Sequence, residues 1–380
     1  MARAFVAAVG LLAAGVVYWL WTGDHTSDQS PTNTAILKLL GGRASAGYAQ
    51  ALRPRPFTFP ADFGPHNEFR QEWWYYTGNL DTADGRHYGY ELTFFRFALA
   101  PSAPQRSSAW ATRQVYLAHF AISDVEAQKY YHLERLDRAA VGLAGAHSSP
   151  YGVWVEDWSA AGASRGGLPM RLRAADGDVA LDLQLDSLKP VVLQGDHGLS
   201  QKGSRPGNAS YYYSLTRLAS RGSVRIADRT YPVSGLSWMD REWSTSALEP
   251  GQIGWDWFAL QLSDGRELMY YRLRRKDGRP DPHSQGVIVD QRGGWQTLSP
   301  NQITITVRSH WQSAHSGAVY PGAWELEVPN QGLRLRVTPY LADQEWSQRL
   351  RYWEGAVRLE DRNHRALGSG YVELVGYSPR

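Results

Sequence analysis

Of the carboxylates that stand close to tryptophan in this chain, Asp256 between Trp255 and Trp257 among them, three are candidates for chemistry. Glu72 opens the stretch EWWYYTGNL, and Asp240 and Glu242 lie in SWMDREWSTS between Trp238 and Trp243. A carboxyl group among aromatic side chains loses hydration, so its neutral form is favoured and it can deliver a proton near neutral pH. Two such groups in different surroundings can divide the roles of acid and base. Asp240 is the first candidate for the acid, with Glu242 or Glu72 as its partner. Neighbours in sequence need not touch, because successive residues of a strand point to opposite faces. Alternation places Glu72 with Trp74 and Tyr76, and it places Asp240 and Glu242 with Trp238. The competing role for these acids is a structural salt bridge, with Arg70 and Arg241 as the nearest cations in sequence.

The aromatic side chains that would line such a site are Trp74, Tyr76, Trp238, Trp243, Trp255, Trp257 and Tyr270. Each also suits a packed barrel core, which needs bulk. His119, inside the apolar strand YLAHFAISD, joins them as a candidate, against the alternative of a satisfied core histidine. Metal chemistry has no support: His310 and His315 are five apart in a loop-like segment, and no H-E-x-x-H occurs. GLSWM lacks the second glycine of a nucleophile elbow, and there is neither a P-loop nor a dinucleotide fingerprint, so no cofactor is expected. Lys202 in GLSQKG reads as an exposed turn lysine, with an anionic head group as its alternative partner.

The elements that must position these residues are strands. Sixteen Trp and 21 Tyr, with 37 Gly and 20 Pro, favour short strands and many turns, so the expected class is all-β. LPMRLRAADGDVALDLQLDS reads as a hairpin turning at Asp176-Gly177, with Leu181, Leu183 and Leu185 on one face. ITITV (303–307) and LRLRV (333–337) alternate as strictly, which implies one buried face and one wet face. An internal repeat runs through the chain. WWYYTGNLDTADGRHYGYELTFFRF, from Trp73, parallels WDWFALQLSDGRELMYYRLR, from Trp255: a Trp-led strand, an Asp-Gly-Arg turn, then paired aromatics and Arg. The expected division is 1–23 as an N-terminal apolar segment, 24–55 as a linker, 56–235 as a first β unit and 236–380 as a second.

Residues 4–23 carry no charge and end near Trp19 and Trp21, enough apolar length to span a bilayer. An uncleaved anchor is expected, with a cleaved signal peptide as the alternative, and both export the rest of the chain to the periplasm. The linker holds one helix-like piece, TAILKLLGG, closed at Gly41. A net charge of +3, spread without long runs, gives no footprint for nucleic acid. With no cysteine, disulfides, thiolate metal sites and a Cys nucleophile are all excluded.

Several long motifs, among them FPADFGPHNEFRQEWWYYTGNL, YGYELTFFRFAL, YYYSLTRL, LSWMDREWSTS and GWDWFALQLSDGRELM, resemble the bacterial exported family of AttH-type proteins, which is similar to carotenoid 1,2-hydratases. The resemblance covers roughly Phe57 to Tyr377 and implies two lipocalin-like antiparallel β-barrels. For the hydratase branch it also implies addition of water across an isoprenoid double bond without a redox cofactor. Members of the wider family are often labelled predicted secreted hydrolases. That branch carries an Asp-His pair where this chain has Asp240-Arg241. Three functions follow as expectations: an exported enzyme acting on a hydrophobic, isoprenoid- or lipid-like ligand; a carrier of such a ligand; or an accessory protein of an envelope transport system. A buried acid facing an open cavity favours the first.

Overall fold

The computed structural model describes residues 46–102, 107–246 and 248–377. The N-terminal apolar run and the TAILKLLGG piece lie outside the described residues. Thirteen strands form one antiparallel sheet: β1 (Gln71–Asp81), β2 (His87–Ala98), β3 (Gln114–Asp124), β4 (Lys129–Arg138), β5 (Ala144–Ser148), β6 (Tyr151–Val155), β7 (Trp158–Gly162), β8 (Met170–Asp176), β9 (Val179–Ser187), β10 (Val192–Leu193), β11 (Leu199–Gln201), β12 (Ala209–Ile226) and β13 (Arg229–Ser244). Its path runs β4-β3-β2-β1-β13-β12-β9-β8-β7-β6-β5, with β10 and β11 added against β12. The end strands β4 and β5 come together and close a barrel.

The second sheet holds β14 (Gln252–Leu262), β15 (Glu267–Arg275), β16 (Gln285–Val289), β17 (Trp295–Leu298), β18 (Thr304–Gln312), β19 (Val319–Val328), β20 (Leu333–Pro339), β21 (Glu345–Ser347), β22 (Arg351–Glu360) and β23 (Ala366–Val375). Its order, β17-β16-β15-β14-β23-β22-β20-β19-β18, curls into a half-barrel. Both sheets are antiparallel throughout, and the two barrel-like domains fit the expected fold class. The Asp176-Gly177 hairpin forms between β8 and β9, with Gly177 at φ 49°, a conformation that suits glycine.

The expected division at residues 235 and 236 falls inside β13, which pairs with β12 and, from Ser234 to Ser244, with β1 of the first sheet. The passage between sheets comes after it, at residues 245–251. Pairing explains the displacement. The stretch around residues 235 and 236 reads as a boundary in sequence, but its backbone is held on one side by β12, the other arm of its hairpin, and on the other by β1, far earlier in the chain.

Each sheet has its own apolar interior. Trp74, Tyr76, Tyr213 and Trp243 belong to the first, and Phe258, Tyr270, Trp324 and Trp353 to the second. A third apolar layer lies between the domains, where Tyr75, Tyr212 and Trp238 meet Trp257, Met269 and Tyr271. Polar ties fix this seam. Lys189 Nζ lies 2.7 Å from Glu267 Oε2, Gln261 Nε2 donates to the carbonyls of Thr216 and Ser237 at 2.8 and 2.9 Å, and Asn79 Nδ2 donates to Gly370 O at 3.0 Å. At Gly89 the domains touch so closely that an added Cβ would fall 2.5 Å from Ala356 Cβ.

Candidate active site between the barrels

Away from that tight contact the seam opens into a cavity of about 170 Å³, walled by both domains. One water needs only ~10–15 Å³ of such volume. Cross-strand pairing builds the first wall in rows, because directly opposed residues share a face. Tyr75 on β1, Asp240 on β13 and Ser214 on β12 form one row, and Trp73, Glu242 and Tyr212 form the next. The second wall follows the same rule. Tyr271, Trp257, Glu373 and Glu354 lie in register across β15, β14, β23 and β22, with Leu273, Trp255, Val375 and Tyr352 beside them.

Asp240 is buried on the first wall and accepts hydrogen bonds from the Tyr212 hydroxyl, from Ser214 Oγ at 2.5 Å and from Trp238 Nε1 at 2.7 Å. Burial pushes its carboxyl up to about 7, against these three donors, with the charge of Glu242 adding to the rise. Glu242 lies 3.4 Å from Lys202 Nζ. Lys202 lies over the Tyr271 ring, 3.8 Å from its centroid, and is therefore a cavity residue rather than the exposed turn lysine expected. Burial draws the ammonium down, but Glu242 and Tyr271 carry it above its usual value.

The opposite wall contributes acids that the sequence does not single out. Glu354 accepts a hydrogen bond from the Tyr75 hydroxyl across the seam, and Glu373 accepts one from Trp255 Nε1 at 3.1 Å. Glu91, buried on β2, stands close to both. Burial holds Glu91 at about 8. Burial and the charge of Glu91 hold Glu373 at about 8 and raise Glu354 well above the usual carboxylate range. Of these groups Glu354 and Glu373 face the cavity, with their carboxyls pushed toward the neutral form, while Glu91 is buried beside them on the first domain and does not line it. The repeat offered a signal for the aromatics: Trp73 and Tyr75 align with Trp255 and Trp257, and all four line the cavity. Nothing comparable marks Glu91, Glu354 or Glu373.

The structure brings Asp240, Glu242, Trp255 and Trp257 to the cavity, with Trp238 directly behind Asp240. It places the other sequence candidates elsewhere. Glu72, Trp74, Tyr76 and Trp243 share the opposite face of the same β1 and β13 ladder, which points into the first barrel. There Glu72 is fully buried and ion-paired with Arg96, its direct cross-strand neighbour, and with Arg241. Burial alone would raise its pKa, but Arg96 and Arg241 hold it well below the usual range, so it is no proton donor. Tyr270 lies in the second domain's interior, and the adjacent Tyr271 takes the place expected of it. His119 is buried behind the cavity. Its Nδ1 lies 2.6 Å from the hydroxyl of Tyr352, a lining residue, and its ring stacks on Trp346 at 4.1 Å. Burial lowers its pKa despite Glu134 at 3.3 Å. Position 241 also faces the barrel, so the Arg in place of the hydratase branch's His touches Glu72 and lines no part of the cavity.

Comparison with known proteins places this geometry. The model of the AttH-like family matches residues 50–377. A solved structure of an AttH protein from Nitrosomonas europaea superposes with a TM-score of 0.77 at 36% identity, covering 87% of this chain and 99% of that one. Kievitone hydratase from Fusarium solani subsp. phaseoli is 25% identical over 214 residues, 54% of this chain and 59% of that protein. The chain thus spans about three-fifths of that relative's length. The crystal structure of kievitone hydratase from Nectria haematococca shares the fold, with a TM-score of 0.63 at 17% identity, over 87% of this chain and 98% of that one. The fold is hydratase-like.

Proposed function

The chain belongs to the AttH-like family, and from that premise we propose that its interdomain cavity hydrates the alkene end of a hydrophobic, isoprenoid-like ligand without a cofactor. The observation that carries the reading is Asp240: a buried carboxyl, poised near 7, on the wall of an open cavity lined by Trp73, Trp255 and Trp257. In the step assigned to it, the π pair of the alkene takes the Asp240 proton and forms a C–H bond. Asp240 is left as a carboxylate, now stabilised by Tyr212, Ser214 and Trp238. The positive charge on the second alkene carbon is tolerated by the tryptophan faces. A water then forms the C–O bond, and its surplus proton returns to Asp240, which restores the starting state. Glu242, held at Lys202, supplies negative potential beside the cation.

Mass spectrometry of lipid extracts co-purified with the native chain and with Asp240→Asn tests the proposal. A specific apolar ligand heavier by one water in the native sample, but unaltered in the variant, is expected. The same unaltered ligand in both samples would make the protein a carrier instead.

A further inference from the structure

The cavity runs toward one end of the strands. Tyr75, Asp240 and Glu354 mark its deep end, where side chains are buried. Phe97, Ser246 and Leu248 mark its outer end, where they are half-exposed. The chain enters the folded body at that outer end. Ala49 N donates to Glu68 O at 2.9 Å, and Ala49 O accepts from Thr245 Oγ1 at 2.5 Å. Thr245 Oγ1 in turn accepts from Arg70 N, immediately before the cavity residue Gln71. Tyr48 donates to the carbonyl of Ala98, immediately after the cavity residue Phe97.

Large apolar side chains stand exposed around the same end. Leu52 follows the entry point at 61% exposure, Leu99 follows Phe97 at 65%, and Trp110 lies at 54% in the same β2–β3 connection. Single exposed apolar residues are ordinary. Here Gly47 and Tyr48 meet Pro101 and Ala98 at the β2–β3 connection, so Leu52, Leu99 and Trp110 belong to segments that are joined where the described chain enters the folded body, and Trp suits a lipid–water interface. Basic residues stand on the same segments: Arg53 follows Leu52, and the Arg113 carbonyl accepts from Leu99 N at 2.7 Å. Residues 24–45 can reach at most roughly 75 Å when fully extended, so a bilayer that holds residues 4–23 keeps the cavity's outer end within that distance.

We infer that the rim carrying Leu52, Leu99 and Trp110 is a bilayer-contact surface, and that the cavity between the barrels opens toward the membrane and takes its apolar ligand from it. The inference rests on the proposed reading of the cavity as a site for an apolar ligand. It adds the source of that ligand and the orientation of the protein.

The absence of native cysteine makes the test direct. Full-length Leu99→Cys and Trp110→Cys proteins, with Ala83→Cys in the β1–β2 turn at the opposite end of the strands as control, would be spin-labelled. They would then be reconstituted with vesicles of phosphatidylethanolamine and phosphatidylglycerol. Collision rates with oxygen and with a water-soluble nickel chelate report depth. The expected result is a several-fold fall in nickel access at positions 99 and 110 relative to 83, with oxygen access raised. Equal nickel access at all three positions on vesicle-bound protein would overturn the inference, as would failure of the full-length chain to bind the vesicles. The same labels in an Asp240→Asn background keep the two readings apart, because depth does not depend on turnover.

Discussion

Glu72 and Asp240 sit on adjacent strands of one ladder, each buried and each among tryptophans, yet their proton affinities are pushed in opposite directions. Glu72 faces the barrel interior, where Arg96 and Arg241 neutralise it and keep it ionised. Asp240 faces the seam, where hydroxyl and indole donors bind it with no ion pair among the described residues, and burial lifts it to about 7. The second domain repeats the contrast. On its inner face Asp256 is paired with Arg272 at 2.6 Å and with Arg274 at 3.0 Å, while on its seam face Glu354 and Glu373 are held high. An acid beside aromatics is therefore not a chemical category. The charge of its partners decides whether it stabilises the fold or is free to move a proton.

The sharpest way to break this comparison is to exchange each acid for its amide. Asp240→Asn is expected to cost about 10²–10⁴-fold in hydration rate, the usual share of a general acid, with little change in the unfolding midpoint. Turnover by product mass and thermal unfolding on the same samples check both halves. Glu72→Gln should do the reverse. It leaves Arg96 and Arg241 buried without their counter-charge, at a cost of about 3–5 kcal/mol in denaturant unfolding.

The two regions should also respond to pH with opposite slopes. Glu72 binds its proton less readily folded than unfolded, so its contribution is present above the unfolded pKa, near 4.5, and is lost as pH falls through the depressed folded value. Glu91 and Glu373 behave the other way. Near pH 4.5 the unfolded chain begins to lose protons that the folded chain keeps, so stability declines until the folded groups ionise at about 8. Stability measured across pH 4 to 9 should show this decline, and Glu91→Gln should flatten it. An unchanged slope in that variant would show that the seam acids are not carrying it.

The smallest effect sharpens the account of Asp240 itself. Tyr212→Phe removes a donor that favours the carboxylate, so the pKa that governs activity should rise. One hydrogen bond to the charged form corresponds to roughly one to two pH units. A pH profile of turnover that moves down, or not at all, would remove Tyr212 from the role given to it.

Much of this was legible in advance. The all-β class, the Asp176-Gly177 hairpin and the Trp-led repeat follow from short-range pattern. So does the facing of Asp240 and Glu242 with Trp238, and of Glu72 with Trp74 and Tyr76, since a strand's alternation needs only residues two apart. Arg241 as a salt-bridge candidate was also within reach, but as a neighbour of Asp240 and Glu242; its pairing with Glu72 joins positions 169 residues apart. Glu354 was not, because its meeting with Tyr75 joins positions 279 residues apart.

The sequence by itself determined which side chains share a face, and hence that the acids of each strand fall into two sets. Only the tertiary structure decided which face became a barrel interior stocked with arginines and which became the wall of a cavity. That choice depends on how β4 meets β5 and how the second sheet lies on β1 and β13. Such long-range pairing leaves no trace in the local alternation that specifies it equally well in either orientation.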